Sequence, residues 1–267
     1  MIAEDAQPPV RGREPQYRSG HAHDALRAPA GDPPAGATGE PVPDRAAAGP
    51  ETGAARAAAV VKPRLRGWLH AGMFPLALAG GIVLIALSRS AAAMAACSVY
   101  AVSACLLFGT SAVYHRGNWG PRGEGVLRRL DHANIFLIIA GTYTPLAVLL
   151  LPGRQQVVLL SLVWSGAVAG IAFRIWWIRA PRWLYTLCYI ALGWAAVFYL
   201  PAFARAGGPA AVVLVIAGGL LYTAGAVVYG LKRPDPWPRW FGFHEVFHAL
   251  TLAAFTAHYT AIALAAT

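Results

Sequence analysis

Charge is what this sequence has least of. Asp, Glu, Lys and Arg make up 13% of its 267 residues, about half the share in an ordinary soluble domain. The shortage is sharpest among acids: residues 61–267 hold four carboxylates, Glu124, Asp131, Asp235 and Glu245. A water-facing surface cannot be built from so few. Cysteine is also scarce. Cys97, Cys105 and Cys188 all fall inside apolar runs without C-x-x-C spacing, which excludes a disulfide framework and a cysteine metal site and leaves them as small core residues. There is no internal repeat, and residues 1–60 contain no signal-peptide hydrophobic core.

What stands in place of charge is apolarity, at 57% of residues with a mean hydropathy of +0.49. That combination reads as a polytopic membrane protein. The net charge of +10 divides into −2 over residues 1–60 and +12 over the rest. The basic residues fill short gaps between apolar runs, so they orient a chain in a membrane, and no nucleic-acid partner is expected. Residues 1–60, rich in Ala, Pro, Gly and Arg, read as a disordered tail. Residues 61–267 read as one transmembrane domain.

A crossing helix needs about 20 apolar residues. Seven stretches qualify: 68–88, 92–114, 130–151, 155–173, 183–203, 209–231 and 241–264. The expected fold is therefore an all-α bundle of seven transmembrane helices in the cell membrane. Loop charge alternates with this count. Lys62, Arg64 and Arg66 precede the first helix. Arg116, Arg122, Arg128 and Arg129 follow the second, Arg174, Arg179 and Arg182 the fourth, and Lys232, Arg233 and Arg239 the sixth. The other side has Arg89, Arg154 and Arg205. The positive-inside rule then makes the N-terminus cytoplasmic and the C-terminus external. Trp176, Trp177, Trp183, Trp237 and Trp240 fall at the cytoplasmic boundary, as an interfacial belt does.

Ionisable side chains at membrane depth are costly and face the bundle interior, where they serve function. Several fall at helix ends on the same side. Ser111 and His115 share a face near the end of the second helix, Asp131 and His132 open the third, and His244 and His248 open the last. His115, His244 and His248 make a three-histidine set of the kind that holds a catalytic zinc with one position open. Zinc lowers the pKa of a bound water to about 7. Asp131 could hold and deprotonate that water, with Ser111 adding a hydrogen bond. The bland alternative for Asp131 is a helix cap. His70, at the start of the first helix, could approach the site. His258 lies fourteen residues past His244, about 21 Å along a helix, and is too far. The run Ile135 to Pro145, with Gly141, Thr142 and Thr144, reads as close helix packing first and cavity lining second.

Three motifs carry a resemblance: SAVYH at 111–115, RRLDHANIFLIIAGTYTP at 128–145 and FGFHEVFH at 241–248. With RGWLH at 66–70, LGW at 192–194 and GGLLYTAGAVVYG at 218–230, they resemble the hemolysin III family. This is the bacterial branch of the progestin and adipoQ receptor (PAQR) family, which includes the adiponectin receptors. The resemblance implies a seven-helix bundle and a zinc ion held by His115, His244 and His248, with Asp131 and Ser111 touching its water. It also implies a metal-dependent hydrolase whose partner is a membrane lipid, such as a ceramide-like amide or another acyl lipid.

Other readings remain open. One is a zinc-containing receptor or lipid-homeostasis sensor without turnover. Another is a pore-forming haemolysin. A third is an intramembrane protease, because HEVFH satisfies H-E-x-x-H, in which Glu245 would be the base.

Overall fold

The computed structural model describes residues 63–267. The expected tail at 1–60 lies outside the described residues. In lipid, every backbone N–H and C=O must be satisfied within its own segment, and the helix is the local solution. The described residues form helices joined by short connections, with no β-strand: α1 Trp68–Leu87, α2 Ala91–Arg116, α3 Pro121–Leu150, α4 Gly153–Trp176, α5 Arg182–Gly193, a 3-10 segment Trp194–Tyr199, α6 Leu200–Leu231 and α7 Phe243–Ala266. Leu76, Ile82, Val157 and Val213 each leave more than half their surface exposed, as contact with lipid tails requires.

By length and apolarity, six of the described helices can cross a membrane, so the expected count of seven is corrected. The stretches 183–203 and 209–231 run together as one helical segment of 50 residues, Arg182–Leu231. A straight rod of that length would measure about 75 Å, against a hydrocarbon core of about 30 Å. The segment is not straight. Gly208 leaves helical geometry at φ 74° just before Pro209, a backbone that glycine adopts without a Cβ clash. Beyond it the chain doubles back: Trp194 Nε1 donates to Thr223 Oγ1 at 2.9 Å, and Arg182 Nη1 donates to the Tyr229 carbonyl at 3.2 Å. No polar loop separates the two arms, and so one helical segment holds what sequence reading divides into two.

The third span also begins earlier than expected, at Pro121 instead of 130. Proline at the first helical position and Glu124 in the first turn are start signals. They fall in an arginine-rich stretch that hydropathy excludes. Asp131 consequently lies well inside α3, and the capping alternative falls away.

Helices adjacent in sequence pack together, and α7 closes the bundle against α1. Tyr259 donates across that last seam to the Gly80 carbonyl at 2.9 Å. α3 is the most buried of the membrane helices among the described residues. Its Tyr143 hydroxyl donates to the Gly193 carbonyl at 2.6 Å and accepts from Ala196 N at 2.7 Å, which satisfies the backbone where α5 tightens into the 3-10 segment. At Gly141, α3 presses close against α2: a methyl group there would stand 2.7 Å from Ser103 Cβ. Gly141→Ala is expected to destabilise the bundle by about 1–3 kcal/mol through overpacking, and Ser103→Gly in the same chain to recover most of that loss. Thermal unfolding in detergent measures both.

Candidate metal centre

The site lies at one end of the bundle, where α2 and α4 end and α1, α5 and α7 begin. α7 starts there because two carboxylates meet its free N–H groups. Asp235 Oδ1 accepts from Phe243 N at 2.9 Å, and Glu245 Oε2 accepts from Gly242 N at 2.8 Å. This start fixes the helical phase, so that His244 and His248 project one turn apart into the bundle. His115, in the last turn of α2, meets them.

His115, His244 and His248 each offer one ligand atom, and these atoms lie within 4.8 Å of one another. The Nε2 atoms of His115 and His244 are 3.2 Å apart. His115 and His248 are buried, whereas His244 keeps an edge open. Such a cluster could hold a metal ion. Asp131 Oδ2 stands 3.7 Å from His115 Nε2. Ser111, one turn before His115, is buried on the wall of the same apolar cavity as Asp131, His244 and His248. The five residues named from sequence therefore converge. They come from α2, α3 and α7, and His115 and His244 are 129 positions apart in the chain.

The remaining histidines separate clearly. His70 of α1 is buried and stacks face to face on His248, with ring centroids 3.7 Å apart. Both of its ring nitrogens lack a hydrogen-bond partner, so the expected approach of α1 is a direct contact. His132 turns from the cluster toward Arg174, with Nδ1 against Nη2. His258 meets the Val215 carbonyl at 3.1 Å, further along α7.

Glu245 has another task. It is 1% exposed and pairs through Oε1 with Arg66 Nε, while Oε2 caps α7. Both of its oxygens are engaged, which leaves the H-E-x-x-H reading without a free base. The backbone reinforces this link, since Arg64 N donates to the Arg239 carbonyl at 3.0 Å and Leu65 N to the Trp240 carbonyl at 3.1 Å.

Two spaces flank the cluster. The apolar cavity extends among α3, α5, α6 and α7, past Ile139, Tyr143, Leu146 and Val215. A polar vestibule is lined by Arg66, His115, Glu124, Arg128, Arg174 and Arg182, among others. His132, Tyr185, Tyr229 and His244 border both. The vestibule was not read from sequence. In the sequence Arg174 falls among the loop arginines, whereas it lies inside α4.

Residues 58–259 match the family profile described as haemolysin-III related. The chain belongs to that family. Among curated haemolysin III relatives, Hemolysin-3 of Bacillus cereus is 38% identical over 141 residues, covering 52% of this chain and 64% of that protein. The Hemolysin-3 homolog of Bacillus subtilis (strain 168) is 32% identical over 161 residues, covering 60% of this chain and 72% of the relative. Membership of the haemolysin III family agrees with the helices in making this a multi-pass membrane protein.

Proposed function

We propose that the chain is a zinc-dependent membrane hydrolase that cleaves an amide or ester bond of a lipid at the cytoplasmic end of the bundle. The observation that carries this reading is three histidine nitrogens meeting beside the Asp131 carboxylate, with Asp131, His244 and His248 on the wall of an apolar cavity. The donor set suits zinc. Tetrahedral bonds of 2.0–2.1 Å hold nitrogens roughly 3.3 Å apart, and the His115 and His244 atoms stand at 3.2 Å. Three protein ligands leave a fourth position for water or substrate. Bound there, zinc supplies Lewis acidity toward a carbonyl and makes a water acidic enough to attack near neutral pH.

The chain's own residues supply the rest. The apolar cavity accepts the acyl chain and keeps bulk water from the reacting bond. Asp131 Oδ2 accepts the proton of the attacking water and returns it to the leaving nitrogen or oxygen. Ser111 orients the carboxylate and water from the neighbouring helix. Asp131→Asn keeps the shape of the side chain and removes the base. It is expected to lower the rate of lipid hydrolysis by about 10²–10⁴ with zinc content unchanged. The same variant tests the sensor reading, in which zinc is structural and the substitution leaves function intact. Purified protein that contains no metal would sink the proposal.

A further inference from the structure

Arg174 is the largest of the wholly buried side chains among the described residues, at 1% exposure. It stands in the last turn of α4, where a cation suits the helix dipole. Its contacts are all neutral. Nη1 donates to the Trp177 carbonyl at 3.5 Å, Nη2 meets His132 Nδ1, and the guanidinium carbon lies 4.2 Å from the Tyr185 ring centre. Its Nε has no partner. Among the described residues, no carboxylate lies within 4 Å of it: Glu245 is held by Arg66, and Asp131 stands by His115. Membrane topology accounts for arginines that face headgroups or water. It does not account for one enclosed by protein, where a charge needs a counter-charge.

The surroundings add to the imbalance. Arg174 opens onto the polar vestibule together with Arg128 and Arg182. Arg182 is likewise spent on neutral groups, the Tyr229 carbonyl at 3.2 Å and the Tyr229 ring at 4.8 Å. Three arginines without an acidic partner thus share a space with one lining carboxylate, Glu124. Guanidinium groups present forked donors that match phosphate and carboxylate oxygens. Beyond the shared wall of His132, Tyr185, Tyr229 and His244 lies the apolar cavity, with the histidine cluster at the boundary.

We infer that the vestibule is an anion site that takes the phosphate or carboxylate headgroup of an amphiphile whose acyl chain lies in the apolar cavity. The claim about binding stands alone. Its consequence, that the substrate is an anionic lipid amide or ester, rests on the hydrolase reading.

The test compares two amphiphiles with the same acyl chain, lysophosphatidic acid and monoacylglycerol. Each is titrated against the full chain in neutral detergent, and bound copies are counted by native mass spectrometry. Wild type is expected to prefer the anionic lipid at least tenfold. Arg174→Gln is expected to abolish that preference, and Arg174→Lys to restore part of it. Arg182→Gln, at a half-buried position, is expected to weaken it severalfold and serves if Arg174→Gln does not fold. Equal binding of the two lipids by wild type, or a preference that survives both glutamine variants, overturns the proposal. So does inorganic phosphate that displaces the lipid with no gain from acyl length, because the ligand would then be a free anion. The same titration in His248→Ala separates this proposal from the hydrolase reading. Anion preference without turnover of any lipid sinks the hydrolase alone. Cleavage of neutral lipid by a protein with no anion preference sinks the anion site alone.

Discussion

His244→Ala is expected to reduce bound zinc from about one ion per chain to less than a tenth, as measured by elemental analysis of the purified protein. His244 supplies one of three converging nitrogens and is the one bordering both the cavity and the vestibule. The two histidines that remain, His115 on α2 and His248 on α7, cannot complete a tetrahedral site, and His70, stacked on His248 and not beside it, is poorly aimed to substitute. Because the three histidines come from two helices, a metal held by them would bind the folded bundle and not the separated helices. At free metal a thousandfold above the dissociation constant, that linkage is worth about 4 kcal/mol. A chelator should therefore lower the unfolding temperature of wild type and leave His244→Ala unmoved. His258→Ala, which touches the Val215 carbonyl instead, should keep its zinc. Full zinc retention in His244→Ala would remove that residue from the ligand set.

Arg66→Ala is expected to destabilise the protein by about 3–5 kcal/mol, with zinc chemistry untouched as the direct cause. Glu245 is 1% exposed and Arg66 19%. Removing the arginine leaves a carboxylate enclosed by protein with one backbone N–H for company, and an uncompensated buried charge costs about that much. Replacing both residues by leucine should cost far less, since an apolar pair needs no counter-charge. The residual penalty is the lost cap on Gly242, about 1 kcal/mol. Reversible unfolding in mixed micelles gives all three values. An Arg66→Ala protein as stable as wild type would mean that the ion pair contributes nothing. Glu245→Gln adds a functional contrast. The amide can still accept from Gly242, and hydrolysis should persist, whereas a protease built on H-E-x-x-H would lose its base.

The histidine cluster was legible because two kinds of regularity agree on it. The i,i+4 spacing puts His244 and His248 on one helical face, and alternating loop charge brings their end of α7 to the same side as His115 and Asp131. Both signals are local or statistical, and neither needs a distance. What they miss depends on long-range partners. Glu245 looks like a catalytic residue within its motif, and its engagement by Arg66 comes from 179 positions away. Arg174 looks like a loop cation because hydropathy ends a span at the first charge. A helix ends where its backbone bonds end, and α4 continues past Arg174 to Trp176. The same reasoning hides the first turns of α3 behind Arg122, Arg128 and Arg129. It also divides Arg182–Leu231 in two, where the chain bends without leaving a polar gap.

The closure of α7 against α1 has a consequence in time. Arg66 waits for Glu245 and Gly80 waits for Tyr259, each across 179 residues. At 5–20 residues per second, that interval is roughly 10–35 s of synthesis. Through it the first helix sits in the membrane with Arg66 and His70 lacking their partners. His244 follows His115 by 129 residues, so the histidine cluster cannot assemble until α7 has been made. Any metal that the cluster holds would then load only after α7 has closed against α1.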